Sequence, residues 1–335
     1  MPEVVHHKRH ALPDIPGINC PDKERSMKRN LLSTIKRDLR RNWSLYLVIL
    51  PVVTFYFFFE YKPMYGALIA FQDYRPAQGF GKNWVGFKHF ERFFNNPFFF
   101  RLLKNTLTIN VTTCLFGFPA PIILALLLNE LKSKKFLTIS QTIMYLPHFI
   151  STVIICSMLL QFSLSDGLFN DILTFFGRPR SSLLQDSKAY VPLYVGSSIW
   201  KDFAWNSIIY VAAIAGVDTQ LYDAASVDGA GKWKQMIHVT LPAIAPTITI
   251  KLILAIGNMM SLGYEKTMLL YNPTIYDVAD IISTYVYRYG MEGPQYSYAS
   301  AVGLFNSTVN IILVTAANKI SRKVSETSLW YRRKR

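Results

Sequence analysis

Apolar residues fall along the chain in blocks too long for the core of an ordinary soluble domain. No Asp, Glu, Lys or Arg occurs between Asn105 and Asn129, between Phe136 and Ser165, or between Gly293 and Asn318. A bilayer-spanning helix needs about 20 mostly apolar residues. Spans are predicted over 105–128, 139–162 and 298–317, and an earlier one over 42–59 with Trp43 at its boundary. Two more, 189–217 and 243–264, are interrupted by Lys201-Asp202 and by Lys251. The predicted fold is therefore all-α, a polytopic membrane protein with six transmembrane helices. Pro51, Pro119, Pro121 and Pro147 lie in or near spans. Membrane helices tolerate this where neighbours satisfy the freed carbonyls.

Composition sharpens the picture. At 335 residues, length alone would allow about two soluble domains. Hydrophobic residues make up 51% and charged residues 17%, against ~25% charged in typical globular chains. Disorder is excluded, and a soluble fold would rarely keep three such charge-free runs. The net charge of +15 raises the question of nucleic acid, but the placement of the charge answers it. Six spans put both termini on one side. With those termini inside, the inner segments hold 22 Lys/Arg and the outer loops 12. That bias is the positive-inside pattern, and phospholipid headgroups suffice as its partner. Both termini are expected in the cytoplasm, with no nucleic-acid partner.

The expected layout is a basic cytoplasmic tail over 1–42, a six-helix membrane domain over 43–318 with a cytoplasmic loop at 222–242, and a basic cytoplasmic tail over 319–335. No apolar leader core follows the basic start, so no cleaved leader is expected. His6, His7 and His10 lack partners at ligand spacing and belong to a solvated tail. Cys20, Cys114 and Cys156 form no paired pattern; they are expected to be buried or idle thiols, and no metal site is predicted. The aromatic loop 60–104, with Trp84, Phe93-Phe94 and Phe98-Phe99-Phe100, suits either a helix lying at the headgroups or a contact surface for an extracellular partner.

The loop from Tyr222 to Pro242 has the pattern of two short helices with a turn at Gly229. Asp223 near the first helix start complements the helix dipole. Ala224 and Ala225 make a small face that another surface can approach. Gly229 can take a positive φ without a Cβ penalty. Trp233, Met236 and Ile237 give the second helix an apolar side, and Pro242 suits the first turn of the next span. Such an element at a membrane surface is shaped to dock on a soluble partner. Gly229-Ala-Gly231-Lys232 hints at a phosphate-binding loop, but Ser226 and Trp233 stand where that motif needs Gly and Ser/Thr. The chain is not expected to bind ATP.

The same loop resembles the EAA motif of ABC importer permeases. The matching residues are Asp223-Ala224-Ala225, Gly229 and, after nine intervening residues, Val239-Thr240-Leu241-Pro242. Asp replaces Glu at 223 and Val replaces Ile at 239. Asp228-Gly229-Ala230 matches the sugar-importer version of the motif. Beyond the loop, Tyr61–Tyr74, Asn129-Glu130, Gln141–Ser151 and Asp280–Arg288 are similar to LplB-type permeases of oligosaccharide import, within a likeness running from about 30 to 335.

The resemblance implies the ABC importer (MetI-like) permease fold in a bacterial cell membrane. It also implies a heteromeric importer: this permease, a second homologous permease, two ABC ATPase subunits holding ATP and Mg, and an extracellular solute-binding protein that delivers an oligosaccharide. The coupling residues would be Asp223, Ala224, Ala225, Asp228, Gly229, Ala230, Leu241 and Pro242. No catalysis is expected in this chain.

Ionisable residues inside spans are costly and are functional suspects. Lys201 and Asp202 face either a water-filled path or a structural partner. Sugar sites combine aromatic faces with hydrogen-bonding groups, and Trp200, Trp205, Asn206, Asn258, Ser261 and Tyr264 supply those types. Alignment with maltose-type permeases puts Lys201, Asp202, Trp205, Asn258 and Ser261 near the sugar-contacting places, although packing roles stay open for each. Lys251 could snorkel, and His148 is expected to be hydrogen-bonded packing. Three rivals remain. One is an ABC permease for a non-sugar solute. An intramembrane enzyme lacks any nucleophile, metal or paired-carboxylate pattern. A proton-coupled transporter would want more buried carboxylates than Asp202.

Overall fold

A computed structural model describes residues 37–324. The N-terminal His cluster, Cys20 and most of the two tails lie outside the described residues. Described residues are helical apart from connections, with one isolated antiparallel bridge between Gln72 and Trp84. The chain divides into two units, one ending at Gly66 and the other beginning at Ala67.

The first unit contains helix α1 (Trp43–Tyr56). It is apolar all round, carries Pro51, and buries no residue. A helix with no polar face is suited to lipid contact.

The second unit is a helix bundle. Its elements are α2 (Lys88–Phe94), α3 (Phe99–Gly117), α4 (Pro119–Asn129), α5 (Lys134–Tyr145), α6 (Thr152–Phe162) and α7 (Leu168–Phe175), followed by the long α8 (Ser187–Ala215). Then come α9 (Thr219–Val227), α10 (Lys232–Gln235), α11 (Leu241–Gly257), α12 (Tyr264–Leu270), α13 (Ile282–Tyr287) and α14 (Tyr296–Val324). Four segments are long and apolar enough to cross a membrane: 43–71, 99–129, 232–257 and 296–322. The pair 134–149 and 152–162, bent by 90°, would make a fifth. The 29-residue α8 has the length of a span, but Lys201, Asp202 and its serines keep it less apolar.

Apolar packing sets the layout. Tyr210 and Ile214 of α8 pack with Ile122 and Ala125 of α4 and Ile244 of α11. Phe93, Leu102, Met260, Tyr285, Tyr298 and Val302 form a second core. Phe93 of the aromatic loop is thus a core residue, while Trp84 and Phe100 are exposed. Helices α11 and α14 touch closely: a Cβ at Gly257 would stand 2.9 Å from the Val314 side chain. Small residues permit such approach in lipid, where dispersion rather than water exclusion drives packing.

One buried ion pair fixes the segment between α12 and α14. Asp280 is 1% exposed. It accepts from both Nη atoms of Arg288, at 2.9 and 2.8 Å, and from Thr284 Oγ1 at 2.8 Å. Asn105 of α3 donates to the Asp280 carbonyl at 2.9 Å. A charge taken out of water persists only when paired and fully hydrogen-bonded, and Asp280 has both.

Candidate coupling loop and translocation path

The loop after α8 folds as two short helical pieces around a glycine turn. Asp218 caps α9 by accepting from the Gln220 N–H at 2.9 Å. The helix ends in a Schellman arrangement. Gly229 N–H donates to Ser226 O at 3.1 Å, and Ala230 N–H to Ala225 O at 2.9 Å. Gly229 has φ +76°, the left-handed conformation such an ending needs and an L side chain resists. Asp223, Ala224 and Ala225 lie within α9, where Asp223 is mid-helix and not near the start as expected, Asp228 is the C-terminal cap, and Leu241-Pro242 open α11.

The two pieces are tied together. Gln235 Nε2 donates to Ser226 Oγ at 2.9 Å and to Ala230 O at 3.0 Å. Tyr222 and Thr240 share a hydroxyl hydrogen bond of 2.9 Å. Lys232 reaches Glu130, at the end of α4, at 3.5 Å. The apolar residues are left open: Val227 is 88% and Trp233 71% exposed. A rigid turn presenting uncovered Val and Trp has the features of a docking element.

The polar groups inside the bundle gather where the α5–α6 segment breaks. Leu146–Phe149 forms a tight turn, Ile150 is extended, and Ser151 caps α6 by accepting from the Ile154 N–H. This break faces the middle of α8. His148 Nδ1 lies 3.0 Å from Asp202 Oδ1; a carboxylate only accepts, so the imidazole donates. The His148 ring stacks on Trp205, with centroids 4.4 Å apart and planes 5° apart. Lys201 Nζ donates to Thr152 Oγ1 at 3.1 Å. The neighbours Lys201 and Asp202 therefore engage different groups of the same break.

Two cavities adjoin this cluster. One of about 400 Å³ is lined by Asn110, Asp202, Asn206, Lys251, Asn258 and Ser261, among others. A smaller one of about 200 Å³ includes Thr152, Ser198, Lys201, Asp202, Glu265 and Lys266. Ser198 and Asp202 border both. Lys266 Nζ reaches into α8, donating to Tyr194 O, Ser197 Oγ and Ser198 Oγ at 2.8, 2.9 and 2.5 Å.

Of the five path candidates, Lys201, Asp202, Asn258 and Ser261 border these cavities. Trp205 lines neither and serves instead as the stacking partner of His148. Trp200 faces a separate apolar groove. Lys251, read as snorkelling, lines the larger cavity. Asn110, Glu265, Lys266 and Asn310 escaped sequence reasoning. Asn110 carried one signal, an amide within a charge-free run. Lys266 carried none, because it follows the predicted fifth span and only the return of α12 against α8 brings it to the path.

The order of elements, the glycine-turned loop and the polar path can be compared with known proteins. Residues 117–326 match the family described as binding-protein-dependent transport system inner membrane component. This chain belongs to that family. It is 44% identical to the polygalacturonan/rhamnogalacturonan transport system permease protein YteP of Bacillus subtilis (strain 168), over 92% of this chain and 95% of that protein. It is also 44% identical to protein LplB of the same organism, over 89% of this chain and 93% of that one.

Among solved structures, the fold matches a chain of a bacterial ABC transporter involved in the import of the acidic polysaccharide alginate. The TM-score is 0.79 at 42% identity, covering 87% of this chain and 99% of that one. A second structure of an alginate ABC transporter, in complex with an alginate pentasaccharide-bound periplasmic protein, matches with TM-score 0.79 at 42% identity. It covers 88% of this chain and 99% of its own. The chain is thus a membrane-embedded permease subunit of a binding-protein-dependent transport system, and the enzyme reading gives way.

Proposed function

We propose that this permease carries an acidic oligosaccharide, one bearing uronate carboxylates, inward across a bacterial cell membrane. The observation that carries the acidic class is the lining of the path. Lys201, Lys251 and Lys266 border the two inner cavities, and among the described residues none has a carboxylate within salt-bridge distance. Asp202 is engaged by His148. The three lysines around these cavities outnumber the two carboxylates there, Asp202 and Glu265, and a net positive lining favours an anionic passenger. The relatives named for polygalacturonan and alginate transport support the same class.

In this reading a solute-binding protein delivers the saccharide at the outer face. A second homologous permease completes the path. Two ATPase subunits hold ATP and Mg, and Val227, Trp233 and the Gly229 turn dock on one of them. Six spans then leave both termini in the cytoplasm. Alternating access follows if closure of the ATPases moves the loop, and the loop moves α11, which it enters directly.

The test is uptake by the complete importer in proteoliposomes. Galacturonate oligosaccharides are compared with the same oligosaccharides after carboxyl reduction to neutral sugars. Uptake of the acidic set, and its selective loss in Lys201→Met, is the expected result. Equal uptake of both sets would reject the acidic class, and uptake of neither would reject the oligosaccharide reading.

A further inference from the structure

The largest of the described cavities lies away from the charged path. It measures about 680 Å³, and its lining includes Tyr74, Tyr264, Tyr287, Tyr296, Ser300 and Asn306. It sits beyond the end of α11 that is remote from the coupling loop, because Tyr264 follows that end and the start of α14 continues past it. No charged side chain lines it, in contrast to the inner cavities. Tyr264 and Tyr287 stack with centroids 5.1 Å apart, and Tyr296 meets Tyr74 edge-on at 6.4 Å. Asn306 Oδ1 is buried without a hydrogen-bond partner. A buried acceptor left unpaired costs free energy until a donor reaches it. At Gly303, an added Cβ would meet no atom within 4 Å, so α14 leaves room there.

One face of α14 runs from this cavity toward the inner path. Tyr296, Ser300, Gly303, Asn306 and Asn310 recur at spacings of three and four along α14, which places them on one helix face. The first four line the outer cavity. Asn310 Nδ2 donates to Ser261 Oγ at 2.6 Å, and Ser261 lines the inner cavity. At the helical rise this stripe covers about 21 Å.

We propose that the outer cavity is a saccharide-binding subsite, occupied before the sugar reaches the lysine-lined path. Tyrosine rings offer flat apolar faces with a polar edge, suited to the C–H faces and hydroxyls of pyranose rings. Asn306 Oδ1 accepts from a sugar hydroxyl. The absence of charge in the lining means that this subsite grips ring faces and hydroxyls, whereas carboxylates are recognised deeper. The volume falls in the range of small-ligand sites. The proposal rests on the oligosaccharide reading above.

The test uses the whole importer with its binding protein, in nanodiscs and in proteoliposomes, and radiolabelled galacturonate oligosaccharides as probe. A photoreactive benzophenone amino acid replaces Tyr296, and separately Gly303→Leu fills the cavity. The expected result has two parts. Illumination attaches labelled saccharide to this chain, and Gly303→Leu lowers uptake about fivefold with all subunits still co-purifying. Cross-linking to another subunit or to lipid, no adduct, or unchanged uptake in Gly303→Leu would overturn the subsite. Loss of subunits from Gly303→Leu would overturn it as well, by making this face an assembly surface. A wild-type importer that moves no oligosaccharide would instead overturn the underlying functional reading.

Discussion

The glycine-turned loop and the polar path carry the residues that the proposed function draws on, and they are assembled in opposite ways. The loop is one stretch of chain. Its internal bonds join residues close in sequence: Gly229 to Ser226, Ala230 to Ala225, Gln235 to Ser226, Tyr222 to Thr240. Val227 and Trp233 stay uncovered. The path draws on α3, α6, α8, α11, α12 and the break before α6, and its key contacts join residues far apart, such as His148 with Asp202 and Lys266 with Tyr194. A surface that docks on a soluble partner can be written as a local pattern. A passage for a solute needs groups from several helices turned toward one space.

The largest effect is expected at the loop. Gly229→Asp places a side chain at φ +76° and a charge on the docking face. Uptake should fall to background while the chain still inserts at normal levels, measured by transport and membrane quantification together. Normal uptake would end the coupling role.

Next comes a change that only tertiary structure makes severe. Asp280→Asn leaves Arg288 partly buried without its counter-ion, and breaking such a pair costs ~3–5 kcal/mol. Thermal unfolding of the assembled complex should start at clearly lower temperature, with less complex recovered. An unchanged midpoint would mean that the pair contributes little.

A smaller effect tests the path itself. His148→Ala removes both the stack on Trp205 and the bond to Asp202, and uptake should fall about tenfold, or ~1.4 kcal/mol, with subunits still co-purifying. Wild-type transport would make the cluster packing alone.

The smallest effect lies outside both regions. The hydrogen bond from Lys88 holds the Asp73 carboxyl below its usual range, against a smaller opposing push from burial, and His89 adds to the lowering. A depressed folded value means that its stabilisation is complete above the unfolded value near ~4 and is lost as pH falls through the folded one. Acid melting of the wild type should therefore show a slight loss below about pH 4 that Asp73→Asn lacks. Identical acid profiles would remove the Asp73 contribution.

Much of the fold was legible because its signals are local. Charge-free runs mark helices that lipid can cover. The Asp223-Ala-Ala…Gly229…Leu241-Pro242 spacing marks a turn that only glycine fits comfortably and a proline tolerated in the first turn of a helix, and both occur as expected. Lys201 and Asp202 stood out because charge within a span is costly. Trp205 was legible as an aromatic near the path, but not as the partner of His148. Lys251 read as a snorkelling side chain because hydropathy shows depth but not direction.

The sequence by itself determined that the chain is helical and membrane-embedded, with a glycine-turned loop ahead of its fifth predicted span. Hydropathy, charge placement and glycine stereochemistry each act within a few residues, so a linear pattern suffices to express them. The tertiary structure alone decided that the third predicted span bends by 90° at Ile150-Ser151, that Lys266 turns back to the path, and that Asp280 closes on Arg288. It also decided that one face of α14 runs from an uncharged tyrosine cavity to Asn310, which bonds Ser261 of the larger inner cavity. Those features depend on which helix faces meet. That is set by the packing of side chains distant in sequence, such as Gly257 against Val314, which no local pattern encodes.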